Sequence, residues 1–98
     1  DKVYEDDDFY AFRDINPGAP VHVLIVPKRH IARIVDIEVE DAALVGRMFI
    51  AADGIAEAEG IAESGCRYVF NCNRHGGWEG DRGHLHLLGG RQLSWPPG

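Results

Sequence analysis

The sequence predicts one α+β domain over residues 1–98, in which an antiparallel sheet of about five strands packs one face against a principal helix. Two patterns predict this class. Short runs of β-prone residues recur along the chain between turn residues, and a single segment has the apolar periodicity of a long amphipathic helix. With 98 residues the core of such a domain is small, so association with a second copy would help to stabilise it.

The first half of the sheet is predicted to contain a hairpin and a central strand. Lys2–Glu5 and Phe9–Arg13 are β-prone and flank an acidic turn, which indicates the hairpin. Ile15–Pro20 is predicted as a loop, because two prolines bracket a glycine there. Val21–Val26 gives the strongest strand signal and is rich in β-branched residues, which indicates a central position, and Pro27 is expected to end it.

The segment from about Asp41 to Glu59 is predicted as a long amphipathic helix. Its apolar residues recur at helical spacing and are Leu44, Met48, Ala52 and Ile55 on one stripe, flanked by Val45, Phe49 and Ala56. Gly60 is well placed to end the helix, and Ile61 can make the apolar contact that accompanies such an ending.

Two further strands are predicted in the last third of the chain, at Cys66–Asn71 and Gly83–Leu88. The residues between them, Cys72–Arg82, are predicted as a polar loop that contains glycine. The tail from Gly89 onward is expected to be irregular, because a Gly-Gly pair and a Pro-Pro pair exclude a regular element.

The composition narrows the possible partners and compartments. Sixteen acidic residues against ten basic ones give a formal net charge of -6 without a basic block, which argues against a nucleic-acid partner. No apolar run approaches the roughly 20 residues that span a bilayer, and no charged-then-apolar leader is recognised, so we expect no membrane association. Cys66 and Cys72 suit a reducing compartment, so we expect a cytoplasmic protein, also nuclear if its source is eukaryotic.

The chemistry of the sequence concentrates in histidines of the predicted strands. His84 and His86 are two residues apart, so in a strand their side chains leave from the same face. His22 lies in the predicted central strand. If the two strands are neighbours, three of the five histidines converge on one surface. His30 and His75 fall outside this set, and we expect them to be ordinary side chains with satisfied hydrogen bonds.

Three interpretations of such a cluster remain open at this point. The histidines could be satisfied core or surface residues without a chemical role. They could bind zinc, because three protein ligands and a water make a catalytic zinc site. They could also act in nucleophilic catalysis, because the ordinary histidine pKa of about 6.5 leaves the imidazole largely unprotonated and nucleophilic at neutral pH.

Several segments favour the third interpretation. The stretch Gly83–Gln92, GHLHLLGGRQ, and the closing WPPG of Trp95–Gly98 resemble the end of a histidine-triad (HIT) nucleotide-binding protein of the Hint branch. Further segments resemble the second and third strands and the phosphate loop of that family, and these are Phe12–His22, Ile25–Ile31, and Asn71 with Gly76 and Gly77. The resemblance therefore covers essentially the whole chain, with its segments in the right order.

The resemblance implies a HIT-like fold, a homodimer and a pocket for a purine nucleotide such as AMP, with no cofactor and no metal. It further implies hydrolysis of purine nucleoside phosphoramidates, such as adenosine 5'-phosphoramidate, or of aminoacyl adenylates. His84, the middle histidine of the motif, would attack the α-phosphorus and form a nucleotidyl-histidine that water then cleaves. His86 would hold the phosphate oxygens as their charge develops, and His22 is the third histidine expected in the catalytic site.

The resemblance also implies which residues bind the nucleotide. Asp14 matches the acid that accepts both ribose hydroxyls, a role that suits a carboxylate with two acceptor oxygens. Phe12 and Ile15 would line the base pocket. The residues expected around the phosphate are Asn71, Gly77, Trp78, Glu79, Arg82, His84 and His86.

The sequence departs from the family pattern His-x-His-x-His near its nucleophile. Arg82 stands at the first histidine and Gly83 follows it in place of an apolar residue. A guanidinium cannot act as a base, but it could bind a phosphate, and the Arg82 carbonyl could still orient His84. An ionised Glu79 would repel a phosphate, which predicts slow turnover. The alternative to a phosphoramidase is therefore a nucleotide-binding or protein-interaction module of the same fold with weakened catalysis.

Overall fold

A single antiparallel sheet and one long helix make up the chain, which a computed structural model describes from residue 1 to residue 98. The strands are β1 (Lys2–Glu5), β2 (Phe9–Arg13), β3 (Val21–Pro27), β4 (Cys66–Val69) and β5 (Leu85–Gly89), and the helix is α1 (Ala42–Ala58). Neighbouring strands are antiparallel and follow the order β1-β2-β3-β5-β4. The α+β class is confirmed, and β3 is central, as its β-branched composition predicts.

The hydrophobic core lies between α1 and one face of the sheet. The buried helix residues are Leu44, Met48, Ala52, Ile55 and Ala56, which include the whole predicted stripe. The buried strand residues in the same cluster are Phe9, Ala11, Val23, Ile25, Leu85 and Leu87. Because side chains alternate along a strand, the residues between them point to the opposite face of the sheet, which no helix covers. This open face carries the site described below.

The end of α1 positions the far end of β5. Gly60 adopts a left-handed conformation with φ of +76°, and its N–H donates to the Glu57 carbonyl at 3.1 Å. The N–H of Ile61 donates to the Ala56 carbonyl at 3.0 Å, so the predicted helix ending is confirmed. Ile61 is buried against Gly89, where an added Cβ would come within 2.8 Å of Ile61 Cδ1. Glycine is therefore needed at this close approach.

The predicted bounds of the last two strands are wrong at their ends. β4 ends at Val69 instead of Asn71, and β5 begins at Leu85 instead of Gly83. The last rungs pair Val69 with His86 and Leu85 with β3, and the Gly83 N–H bonds outside the sheet. The sheet therefore offers no strand partner to Phe70 and Asn71, which follow β4, or to Gly83 and His84, which precede β5. The sequence also gave no indication of three short 3-10 turns, at Ile34–Asp36, Val39–Asp41 and Arg74–Gly76.

The two edges of the sheet are β1 and β4, and each has one strand neighbour. The irregular tail begins one residue later than predicted, because Gly89 still belongs to β5 and pairs with Val21 and Cys66. From Gly90 to Gly98 the chain has no regular structure, in agreement with the prediction for this tail. No helix combines the length and the apolar character that a membrane crossing requires.

Candidate active site

Three histidines meet on the open face, where β3 and β5 run side by side. His22 lies in β3, His86 lies in β5, and His84 immediately precedes β5. The ring centroids of His84 and His86 are 4.8 Å apart, and those of His22 and His86 are 5.2 Å apart. The convergence that side-chain alternation predicts is therefore present in the structure.

The register between β3 and β5 brings two of these rings together. Leu24 pairs with His86, and His22 pairs with Leu88, so the two histidines are diagonal neighbours on the same face. The rung that contains Leu24 continues to Phe12 of β2. Phe12, which the sequence places in the base pocket, therefore lies on the same face as the histidines, two strands from His86.

A chain of hydrogen bonds fixes the protons of the two strand histidines. The Gly18 N–H donates to His22 Nδ1 at 2.9 Å, so that nitrogen carries no proton and the proton of His22 is on Nε2. His22 Nε2 lies 2.9 Å from His86 Nδ1 and donates to it. Since Nδ1 accepts, the neutral His86 ring carries its proton on Nε2. His86 therefore presents an N–H donor at Nε2.

His86 is held in its neutral form. Burial is the main cause that lowers its pKa from the usual 6.5 to about 4, and the neighbouring imidazoles of His84 and His22 act in the same direction. The Asp14 carboxylate has the opposite, smaller effect. At neutral pH the ring is consequently an uncharged hydrogen-bond donor, which can bind an anion without a change in its own protonation.

Asp14 lies beside the histidine pair, directly after β2. Its main-chain N–H donates to the His22 carbonyl at 3.0 Å, which extends the pairing of β2 with β3 by one residue. Its Oδ1 accepts the Asn16 N–H at 2.9 Å, and its Oδ2 is 3.4 Å from His22 Nε2. The next residue, Ile15, is 90% exposed, which leaves its apolar side chain available at the rim of the site.

The same group could also bind a transition metal. Ligand atoms of Asp14, His22 and His86 lie within 4.8 Å of one another, and imidazole nitrogens and carboxylate oxygens are the usual zinc ligands. The rings of His22 and His86 are already joined by the hydrogen bond between Nε2 and Nδ1. A metal bound through these two nitrogens would have to displace that proton, and the absence of a metal requirement stays a prediction.

His84 is held by contacts of a different kind. Its Nδ1 lies 3.1 Å from the main-chain carbonyl oxygen of Arg82. Because a carbonyl only accepts, Nδ1 donates, and the lone pair of the neutral ring is on Nε2. Trp78 packs edge-on against the ring, with centroids 4.6 Å apart and an interplanar angle of 86°. Both predicted loop residues, Arg82 and Trp78, therefore contact His84.

The backbone before His84 is hydrogen-bonded to Pro27, the last residue of β3, and to Ile31 in the segment that follows. The Arg82 Nη1 donates to the Pro27 carbonyl at 3.1 Å, and the Gly83 N–H donates to the Ile31 carbonyl at 2.6 Å. The Arg82 side chain thus bonds the protein's own backbone, whereas the role considered for it from the sequence was phosphate binding.

A histidine outside the cluster takes part in this fastening. His30 Nε2 bonds the Asp81 main-chain carbonyl, in line with the expectation that His30 is satisfied but with a structural role that the sequence did not indicate. No local pattern could have revealed it, since the partners are 51 positions apart. Gly18, whose N–H orients His22, was missed for the same kind of reason, because its role depends on how its loop turns back over β3.

The remaining predicted residues belong to the loop between β4 and β5. Gly77 has a left-handed φ of +90°, and the following Trp78 N–H donates to the Asn73 carbonyl at 2.9 Å, so this loop turns back sharply. Asn71 is half-buried and Glu79 is exposed. Contacts of Asn71, Gly77 and Glu79 with a nucleotide stay predictions.

Comparisons with known proteins agree with this geometry. A family model of the HIT domain matches residues 1–93. The purine nucleoside phosphoramidase of Escherichia coli (strain K12) is 53% identical over 93 residues, which cover 95% of this chain and 78% of that protein. The crystal structure of a HIT family hydrolase from Legionella pneumophila superposes with a TM-score of 0.96 at 54% identity, covering 99% of this chain and 87% of that one.

A more distant structure agrees as well. The histidine triad nucleotide-binding protein from Candida albicans superposes with a TM-score of 0.78 at 26% identity, covering 97% of this chain and 73% of that one. The similarity thus extends over nearly the whole length of this chain, at both the level of sequence and the level of fold. The chain belongs to the HIT family and is a HIT family hydrolase.

Proposed function

We propose that the protein hydrolyses purine nucleoside phosphoramidates, such as adenosine 5'-phosphoramidate, and aminoacyl adenylates, with His84 as the nucleophile. The observation that carries the proposal is the bond from His84 Nδ1 to the Arg82 carbonyl. This bond occupies Nδ1 as the donor, so in the neutral ring the lone pair that can attack phosphorus is on Nε2. The similarity to the purine nucleoside phosphoramidase of Escherichia coli supports the substrate class.

The reaction proceeds in two displacements at phosphorus. The Nε2 lone pair of His84 forms a bond to the α-phosphorus while the phosphorus–nitrogen bond breaks, and the amine leaves after it takes up a proton from the solvent. For an aminoacyl adenylate the bond that breaks is phosphorus–oxygen, and a carboxylate leaves. Water then attacks the phosphorus and gives up a proton to the solvent, the bond to Nε2 breaks, and a nucleoside monophosphate and neutral His84 result.

In this scheme the neighbouring residues stabilise the negative charge on the phosphate and position the ribose and the base. The Nε2–H of His86 donates to a phosphate oxygen, and the bonds through His22 and Gly18 fix the direction of that donor before substrate binds. Asp14 has one oxygen bonded to Asn16, and its other oxygen, 3.4 Å from His22 Nε2, has capacity to accept a ribose hydroxyl. Phe12 and the exposed Ile15 offer an apolar surface for the base.

A turnover experiment tests the proposal. We expect wild type to release product from a fluorogenic adenosine phosphoramidate, and His84→Ala to lose at least about 1,000-fold in kcat while it still binds AMP. Arg47→Ala is the control, because Arg47 is an exposed side chain of α1 that pairs with Asp8, and its loss should leave kcat unchanged. AMP binding without turnover in wild type would support the weakened nucleotide-binding module instead.

We also propose a homodimer that covers the free edge of β4. An unpaired strand edge invites pairing with a second copy. Two large apolar side chains beside β4 are exposed. Phe49 is 39% exposed and packs against Tyr68, and Trp95 is 78% exposed and lies against Arg67. We expect sedimentation at micromolar concentration to give twice the chain mass, and a monomer would reject this arrangement.

A further inference from the structure

We propose that Arg82 is a positioning residue that aligns the nucleophile through the backbone, and this inference rests on the proposed role of His84. The guanidinium bonds the Pro27 carbonyl and so holds the peptide group whose own carbonyl accepts the Nδ1 proton of His84. The chain thereby orients His84 without a third triad imidazole. The role differs from that of a phosphate ligand and from that of a proton carrier.

The peptide group between Arg82 and Gly83 is restrained from both of its ends. Its N–H donates to the Ile31 carbonyl at 2.6 Å, and its carbonyl accepts from His84 Nδ1 at 3.1 Å. A trans peptide is planar, with N–H and C=O in opposite directions, so fixing the first direction fixes the second. Aligned hydrogen bonds also polarise one another, which strengthens the carbonyl as an acceptor.

The Arg82 side chain supplies the restraint that the peptide itself cannot supply. Its Nη1 reaches the Pro27 carbonyl at 3.1 Å, across 55 positions of sequence. Pro27 is among the most completely buried side chains and lies at the end of the central strand, so it is a rigid point of attachment. The bond is charge-assisted, because a guanidinium stays protonated, and such bonds are stronger than those between neutral groups.

Gly83 makes this close approach possible. An added Cβ would lie 2.9 Å from the Ile31 carbonyl oxygen and 3.1 Å from the Phe70 ring. Both distances are tighter than ordinary contacts, so a side chain at this position would push the peptide away from Ile31. The two residues that depart from the family pattern therefore act together. Gly83 allows the backbone to approach Ile31 closely, and the Arg82 side chain holds it in that position by its bond to Pro27.

Steady-state kinetics of four variants with the fluorogenic adenosine phosphoramidate distinguish the possible roles. Arg82→Met keeps the length of the side chain but removes its donors, and we expect kcat to fall about tenfold while KM and the Kd for AMP change by less than about twofold. Arg82→Lys retains a donor and should recover most of the rate. Arg47→Met is the control, because Arg47 is an exposed arginine paired with Asp8 away from the histidines.

Two kinetic outcomes would overturn the inference. A rise in KM and in the Kd for AMP at unchanged kcat in Arg82→Met would identify Arg82 as a phosphate ligand. An Arg82→His variant that is faster than wild type would identify the missing imidazole as a proton carrier.

A spectroscopic measurement separates this inference from the proposed reaction. In the ¹⁵N spectrum without substrate, we expect His84 of wild type and of Arg47→Met to carry its proton on Nδ1, and Arg82→Met to give a mixture of tautomers. A folded Arg82→Met with an unchanged His84 tautomer would refute the positioning role, whether or not wild type hydrolyses phosphoramidates. If Arg82→Met does not fold, Gly83→Ala displaces the same peptide and should give the same mixture.

Discussion

The structure holds its three clustered histidines in two different ways. His22 and His86 lie inside paired strands, where the register of β3 with β5 sets their separation and a donor from Gly18 sets their protons. His84 lies outside the ladder, and its position depends on a carbonyl of the preceding loop and on the edge of Trp78. The proposed phosphate donor, His86, is therefore part of the paired sheet, and the proposed nucleophile, His84, lies on a loop segment bonded to it.

This difference indicates where the site tolerates change. A strand position is maintained by many backbone bonds and by the packing of the opposite face, so loss of one polar contact leaves the side chain close to its place. A loop position maintained by a few bonds shifts when one of them is lost, and a displacement of about 1 Å at a reacting group can cost on the order of 100-fold in rate. Substitutions in the loop should therefore lower kcat more than substitutions in the strands, at a similar loss of stability.

Among the changes that test this difference, the largest effect is expected from Gly83→Val. The added side chain has no space against the Ile31 carbonyl and Phe70, so the peptide that orients His84 must move, and we expect kcat to fall about 100-fold. Overpacking should also lower the free energy of unfolding by about 1–3 kcal/mol. Stopped-flow kinetics with urea unfolding of the same preparation measures both, and an unchanged kcat would contradict the loop-held description of His84.

A smaller effect on rate is expected from His22→Leu in the strand. Its loss leaves His86 Nδ1 without its donor, so the His86 tautomer is no longer fixed, and we expect kcat to fall about tenfold. The substitution also leaves the Gly18 N–H and His86 Nδ1 without their hydrogen-bond partner, which should lower the free energy of unfolding by about 1–3 kcal/mol. A loss of rate as large as that of Gly83→Val would show that the two regions do not differ as described.

Because of His86, the free energy of unfolding should also depend on pH. Its pKa is about 4 in the folded chain and near 6.5 when unfolded, so between these values the unfolded chain binds the proton more readily. The stabilisation is fully present above about pH 6.5 and is lost as the pH falls towards 4. We expect urea midpoints to decrease across this window in wild type and to decrease less in His86→Gln. Parallel curves for the two proteins would contradict the lowered pKa.

The smallest effect is expected from treatment with a chelator. Because His22 Nε2 and His86 Nδ1 are hydrogen-bonded to each other, we expect no metal between them, and a chelator should leave kcat unchanged. Added zinc should inhibit, since it would compete for that pair. Activity that a chelator abolishes and zinc restores would overturn the assignment of His86 as a hydrogen-bond donor.

Much of the site could be predicted from the sequence because the relevant rules are local. The spacing of His84 and His86 placed them on one face, and the resemblance to the HIT family assigned Asp14 and Phe12 to the same site. The side chain of Arg82 could not be predicted in the same way. Its partner is the Pro27 carbonyl, 55 positions away, and nothing near Arg82 in the sequence specifies a main-chain acceptor.

The sequence by itself determined the α+β class, the helix with its buried stripe and glycine ending, and the face of each strand from which a histidine leaves. These features follow from side-chain periodicity and from the conformational limits of glycine and proline, which act over a few residues. Only the tertiary structure decided that His22 lies beside His86, 64 positions later. It also decided that Arg82 and Gly83, in the loop before His84, bond the Pro27 and Ile31 carbonyls. Strand register and loop contacts of this kind depend on how distant segments pack, which no local pattern encodes.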